Sequence, residues 1–125
     1  WAPRFFEELY HYWSSNDVVM VSYSSATAVR ASWLAAGFFV ASGPLGSGQR
    51  ESSLIFSRYG SKPLYPGVFH LGLEWLERWK RSASPAPAEI LSGPLVDRER
   101  FFNRIREHRQ FSNARSFQFP KQLIE

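Results

Sequence analysis

The chain predicts an α/β fold: the closing half of an open sheet, followed by a mostly helical, basic tail. Three observations carry this. The stretch from Asp17 to Phe56 reads strand (DVVMVSYS), small-residue turn, helix (ATAVRASWLAAG), strand (FFVASG), glycine-rich loop (PLGSGQRE) and strand (SSLIF). Val18-Val19-Met20-Val21 is a continuous apolar run between turn residues, the mark of an interior strand covered on both faces. Beyond Tyr59 the texture changes to turns and amphipathic helices, which places a boundary between residues 1–59 and 60–125.

The first element is a helix. Pro3 suits a first turn, where its missing N–H has no partner in any case. Glu7 and Glu8 fall in the first two turns and complement the helix dipole, and Phe5, Phe6, Leu9, Tyr10 and Trp13 recur at one-turn spacing as an apolar face. Ser14-Ser15-Asn16-Asp17 breaks it. After the Val18–Val21 strand, a helix buries Val29, Trp33 and Ala36 and ends at Gly37 as a left-handed cap. Phe38-Phe39-Val40 and Ser53-Leu54-Ile55-Phe56 are strands joined by the loop from Gly43 to Glu51, short enough to make them adjacent and antiparallel. Such a sheet holds too few strands to flank Val18–Val21 on both sides, which leaves an exposed apolar edge and a tendency to aggregate.

In the second part, Leu71–Arg81 is a short helix carrying Leu73, Trp75, Leu76 and Trp79, Ser82–Pro87 an exposed linker, and Val96–Gln110 a helix with Phe101, Phe102 and Ile105 on one side. Residues around Phe117, Phe119 and Pro120 are expected to be irregular.

Composition narrows the function classes. The 125 residues contain 44% hydrophobic and 17% aromatic side chains, far from the disordered class. There is no cysteine, so no disulfide framework, thiolate metal site or thiol nucleophile exists. No apolar run approaches the roughly 18 residues of a membrane span, and the opening WAPRFFEELYHYW has no secretory pattern, so a cytoplasmic protein is expected. The first residue is not Met, which suggests a processed or partial product. The net charge of +4 lies wholly in residues 60–125, with eleven Lys/Arg against seven Asp/Glu. Either an anionic partner, nucleic acid above all, or an ordinary solvated basic helix explains it.

Candidate sites are few. His11, His70 and His108 lack metal-ligand spacing, and no Ser-His-Asp arrangement stands out. Tyr23-Ser24-Ser25 would lie at the rim of the sheet, where open α/β folds bind ligands. They line a substrate pocket, or Ser24 and Ser25 cap the next helix. Gly46–Glu51 shapes an RNA entrance with Arg50 on a phosphate, or is a hairpin turn with an Arg50–Glu51 ion pair. Trp75 and Trp79, interleaved with Arg78, Lys80 and Arg81, fit base stacking with phosphate contacts or, on their periodicity, the core.

Taken in order, Trp1-x-x-x-Phe5-Phe6, Ser22-Tyr23-Ser24-Ser25, Ala28-Val29-Arg30, Ala35-Ala36-Gly37-Phe38 and Gly46-x-Gly48-Gln49-Arg50-Glu51 resemble the carboxyl half of the MnmC-type methyltransferases over roughly residues 1–59. The resemblance implies a Rossmann-like class I fold using S-adenosylmethionine to methylate the 5-aminomethyl group of a wobble uridine in tRNA. It implies substrate-binding roles for Tyr23, Ser24, Ser25, Gln49, Arg50 and Glu51, with Gln49 standing where the family usually has Lys or Arg. The family's glycine-rich cofactor loop, the acidic residue that holds the ribose and its D-[GA]-F-[SA]-P motif have no counterpart here. The expectation is therefore a chain inactive until joined to an amino-terminal, cofactor-binding half. The other expectation is a non-catalytic module that binds RNA or protein through its basic tail.

Overall fold

The helix expected at the start of the chain runs from Pro3 to Trp13 (α1), and its inward face is aromatic. Phe6 meets Trp33 edge-on at 4.5 Å between ring centres, and Tyr10 meets Phe38 at 5.1 Å. Phe5 turns outward and is 44% exposed, so the buried stripe is narrower than the spacing implied. Glu7 and Glu8 lie past the first turn and pair sideways, Glu8 with Arg4 and Glu7 with Arg104, instead of serving the helix dipole. The computed structural model describes residues 3–16, 18–22, 24–45, 51–57 and 69–111.

Four strands follow: β1 (Val19–Ser22), β2 (Phe39–Leu45), β3 (Glu51–Phe56) and β4 (Phe69–His70), in the order β1-β3-β2-β4. The helix-strand-helix-strand-strand succession is as expected, with α2 (Thr27–Ala36) between β1 and β2. β3 is antiparallel to both β1 and β2, so those two run parallel, bridged by α2, with β3 slotted between them. The expected β2–β3 neighbours pair Phe39 with Phe56 and Val40 with Ile55. β2 runs on to Leu45 through an irregularity after Ser42, so Gly43-Pro44-Leu45 belongs to the strand and not to the loop.

One expectation is corrected. Among the described residues, Val18–Val21 does not form an interior strand: β1 lies at the sheet edge, with Val19 52% and Val21 60% exposed. The strands apolar on both faces are β2 and β3, where Val40 and Ile55 enter one core and Phe39, Ala41, Leu54 and Phe56 a second. A β-branched run signals extended backbone, but its place in the sheet depends on how many strands flank it. The exposed apolar edge that strand counting predicted is present.

α2 ends as its sequence dictates. Gly37 has φ 119°, its N–H bonds to Leu34 and the N–H of Phe38 to Trp33, a Schellman closure. Of the two readings of Ser24 and Ser25, its start excludes the helix cap: the cap is Ala26, without a side-chain bond, and Ser24 Oγ accepts the Ala26 N–H from outside the helix. A serine so placed makes a local turn instead of a cap.

The second part supplies α3 (Leu73–Lys80), the single turn α4 (Ala88–Leu91) and α5 (Leu95–Arg106). They share the principal core with the sheet: Trp75, Leu76, Trp79, Phe101, Ile105 and Phe111 join Phe6, Trp33, Leu34, Val40 and Ile55. Trp75 stacks between Trp79 and Phe111, so these tryptophans are core. The Ser82–Pro87 segment is no free linker. Trp79 Nε1 donates to Pro85 O at 2.9 Å and Ala86 is buried. α5 stops at Arg106 because the next residues turn inward. His108 Nε2 lies 2.8 Å from Phe38 O and its Nδ1 accepts the Gln110 N–H, an arrangement that places the ring proton on Nε2. The Gln110 carboxamide accepts from Val40 N–H (3.0 Å) and donates to Val40 O (2.9 Å) and Leu71 O (2.7 Å), filling the place of a strand beside β2.

Candidate functional site

The parallel pair β1 and β2 points its carboxyl ends at one rim of the sheet, the side on which open α/β sheets bind ligands. Ser22, Ser53 and Ser42 lie in one cross-strand row at this rim. Ser53 Oγ donates to Ser24 O (2.7 Å), and the Ser24 N–H bonds to Ser22 Oγ (3.2 Å). The buried Arg30, on the second turn of α2, reaches into the row. Its Nε donates to Ser53 Oγ at 2.8 Å and its Nη2 to Ser52 O at 3.2 Å. One guanidinium thus ties α2 to the start of β3, and through Ser53 to the β1–α2 turn. A planar fork with several donors suits that task better than an ammonium.

Of the expected site residues, Ser24 and Ser25 stand at this rim, and Ser25 lines a small cleft with Thr27, Arg30, Trp75, Arg78 and Trp79, about 160 Å³ in volume. Glu51 opens β3 opposite Leu45. Tyr23, Gln49 and Arg50 lie outside the described residues. Arg30, Ser22 and Ser53 were missed as site residues, whereas the sequence singles out Arg78 for phosphate contacts beside Trp75 and Trp79. The signal for Arg30 was its charge in a helix otherwise built of small and apolar residues, the pattern of a cation with a buried task.

Two larger grooves, about 390 and 450 Å³, lie between α1, α2 and α5. Their shared wall is tied by Arg104, which bonds Glu7 at 2.9 Å and Ala35 O at 3.2 Å. The second reaches His108, whose pKa burial lowers to about 4, with the Phe38 carbonyl opposing and the Arg109 charge assisting. Burial also lowers the pKa of His70. Among the described residues, no group of His, Asp or Glu is placed to hold a metal ion, and no helix is long and apolar enough to cross a membrane.

A family profile described as S-adenosyl-L-methionine-dependent methyltransferase matches residues 1–55, less than half of the chain. That stretch therefore resembles a family that uses S-adenosylmethionine. No curated protein and no solved structure matches. The described residues do not fit the cofactor. No strand-to-helix turn among the described residues is glycine-rich, the one leaving β1 carrying serines, and the cleft at the rim is smaller than the roughly 300 Å³ at which small-molecule sites begin.

Proposed function

We propose that this chain is the carboxyl, substrate-side portion of an S-adenosylmethionine-dependent methyltransferase of the MnmC type. In this reading the acceptor is the 5-aminomethyl group of a wobble uridine in tRNA, the protein acts in the cytoplasm, and activity requires a cofactor-binding half supplied from outside these residues. The observation that carries it is the reach of the family likeness. The profile match to residues 1–55 spans α1, β1, α2, β2 and all of β3 but its last residue, Phe56.

Within that reading, Tyr23, Ser24, Ser25, Gln49, Arg50 and Glu51 hold the substrate nucleotide at the rim, while Arg30 fixes the turn that presents them. The polar side chains described there are hydroxyls and guanidinium groups, which bind and orient but do not take up an amine proton at neutral pH. The sheet would continue from the free edge of β1, which supplies an apolar, strand-ready border for the other half.

The test is methyl transfer from labelled S-adenosylmethionine to tRNA carrying an unmethylated 5-aminomethyl wobble uridine. The chain is assayed alone and with a supplied amino-terminal half of this family. Label in tRNA from the pair, absent with either part alone, supports the reading; no label from a pair that copurifies overturns it. The placement of the whole charge excess in residues 60–125 favours a second reading, a non-catalytic module that binds RNA or protein through the tail. Tight RNA binding by the chain together with failed transfer by the pair selects it.

A further inference from the structure

We infer that the cleft between the start of α2 and the outer turn of α3 is a phosphate-binding site, with Arg30 and Arg78 as its cationic donors; this does not rest on the methyltransferase reading. It is lined by Ser25 and Thr27, by Arg30 and Arg78, and by Trp75 and Trp79. Among the described residues, no carboxylate lines it.

Size admits such a ligand. The cleft, about 160 Å³, has room for several waters. That admits one tetrahedral oxyanion with some hydration. The donor set points the same way, since two guanidinium groups and two hydroxyls match the several acceptor oxygens of a phosphate. Trp79 Nε1 is engaged by Pro85 O, so that ring serves as wall and not as donor.

Preorganisation is built in. Arg30 is buried, and its bonds to Ser53 and Ser52 hold it before any ligand arrives, which lowers the ordering cost of binding. Arg78 is its exposed counterpart, in the last turn of α3. The neighbouring Lys80 pairs with Glu77, whereas Arg78 makes no ion pair among the described residues. The alternation of Trp75 and Trp79 with Arg78 thus has two uses: the rings pack inward and the guanidinium reaches round them to the cleft. The shared chemistry is a phosphate group, whether from an RNA backbone or from a free phosphorylated small molecule.

The experiment is calorimetric titration of the 125-residue chain with inorganic phosphate at low ionic strength, repeated with a short single-stranded RNA. Saturable phosphate binding is expected, weakened by added chloride. Arg78→Gln should lower the affinity roughly tenfold, about 1.4 kcal/mol, while Arg106→Gln, whose guanidinium bonds Asn103 and does not line the cleft, should leave it unchanged. Arg78→Lys keeps the stem and the charge but loses the fork, and should fall between. It decides the matter if Arg78→Gln does not fold. Displacement of RNA by phosphate, with Arg78→Gln weakening both, assigns an RNA backbone; phosphate binding without RNA binding assigns a free phosphorylated ligand. Absent saturable phosphate binding, or equal affinities of the chain and of whichever Arg78 variant folds, overturns the inference.

Discussion

Removing the Gln110 carboxamide should destabilise the protein more than any other single change outside the aromatic core. Its three hydrogen bonds lie in a fully buried setting and end on backbone groups of Val40 and Leu71. In Gln110→Met the volume is kept, but the Val40 N–H and the Leu71 carbonyl lose their partner. Val40 O retains the Leu71 N–H at 3.0 Å. Two stranded groups at about 1–3 kcal/mol each give a loss of about 4 kcal/mol, a large share of the 5–15 kcal/mol typical of a whole domain. Urea unfolding followed by tryptophan fluorescence measures it, because Trp75 and Trp79 sit in the core that Gln110 helps close. A fall in midpoint with unchanged slope is expected. A Gln110→Met protein within about 0.5 kcal/mol of the parent, the range of an ordinary surface change, would refute the reasoning.

Acid should weaken the fold through His108. Its folded pKa of about 4 lies below the usual 6.5, so the fold favours the neutral ring. That contribution is complete above about pH 6.5, is lost as pH falls toward 4, and reaches about 3 kcal/mol at 1.36 kcal/mol per unit. Urea midpoints that stay flat between these limits would sink the idea, and His108→Gln should flatten them. Gly37→Ala should cost about 1–3 kcal/mol of stability in the same assay, since φ is 119° and a Cβ would come within 2.9 Å of the Tyr10 ring. A neutral result would mean the helix end can relax. Val21→Lys, on the exposed face of the edge strand, should reduce light scattering at high protein concentration and shift stability by less than about 0.5 kcal/mol. Undiminished scattering would place self-association elsewhere.

How far the sequence could be read depended on whether the deciding contacts were local. α1, α2 and its Gly37 cap, and the β2–β3 pair were legible because periodicity, a glycine and a short connection lie within a few residues of what they determine. The edge position of β1 was not, since Val19 and Val21 read alike in any strand and their exposure depends on which strands stand beside them. Ser82–Pro87 has a linker's composition, yet one indole N–H and the burial of Ala86 pin it. At the site, Ser24 and Ser25 could be placed at the rim from the strand that precedes them. The Arg30–Ser53 bond spans 23 residues and no local pattern announces it.

The inward turn after α5 also has a consequence for timing. Val40 and its Gln110 partner are 70 residues apart, so a ribosome adding about 5–20 residues per second needs about 4–14 s between them. Throughout that interval the Val40 N–H lacks its acceptor and the nascent sheet its tail closure. The emerging chain is then most open to pairing with another strand, and a chaperone holding it until Phe111 has been added would raise the yield of native protein.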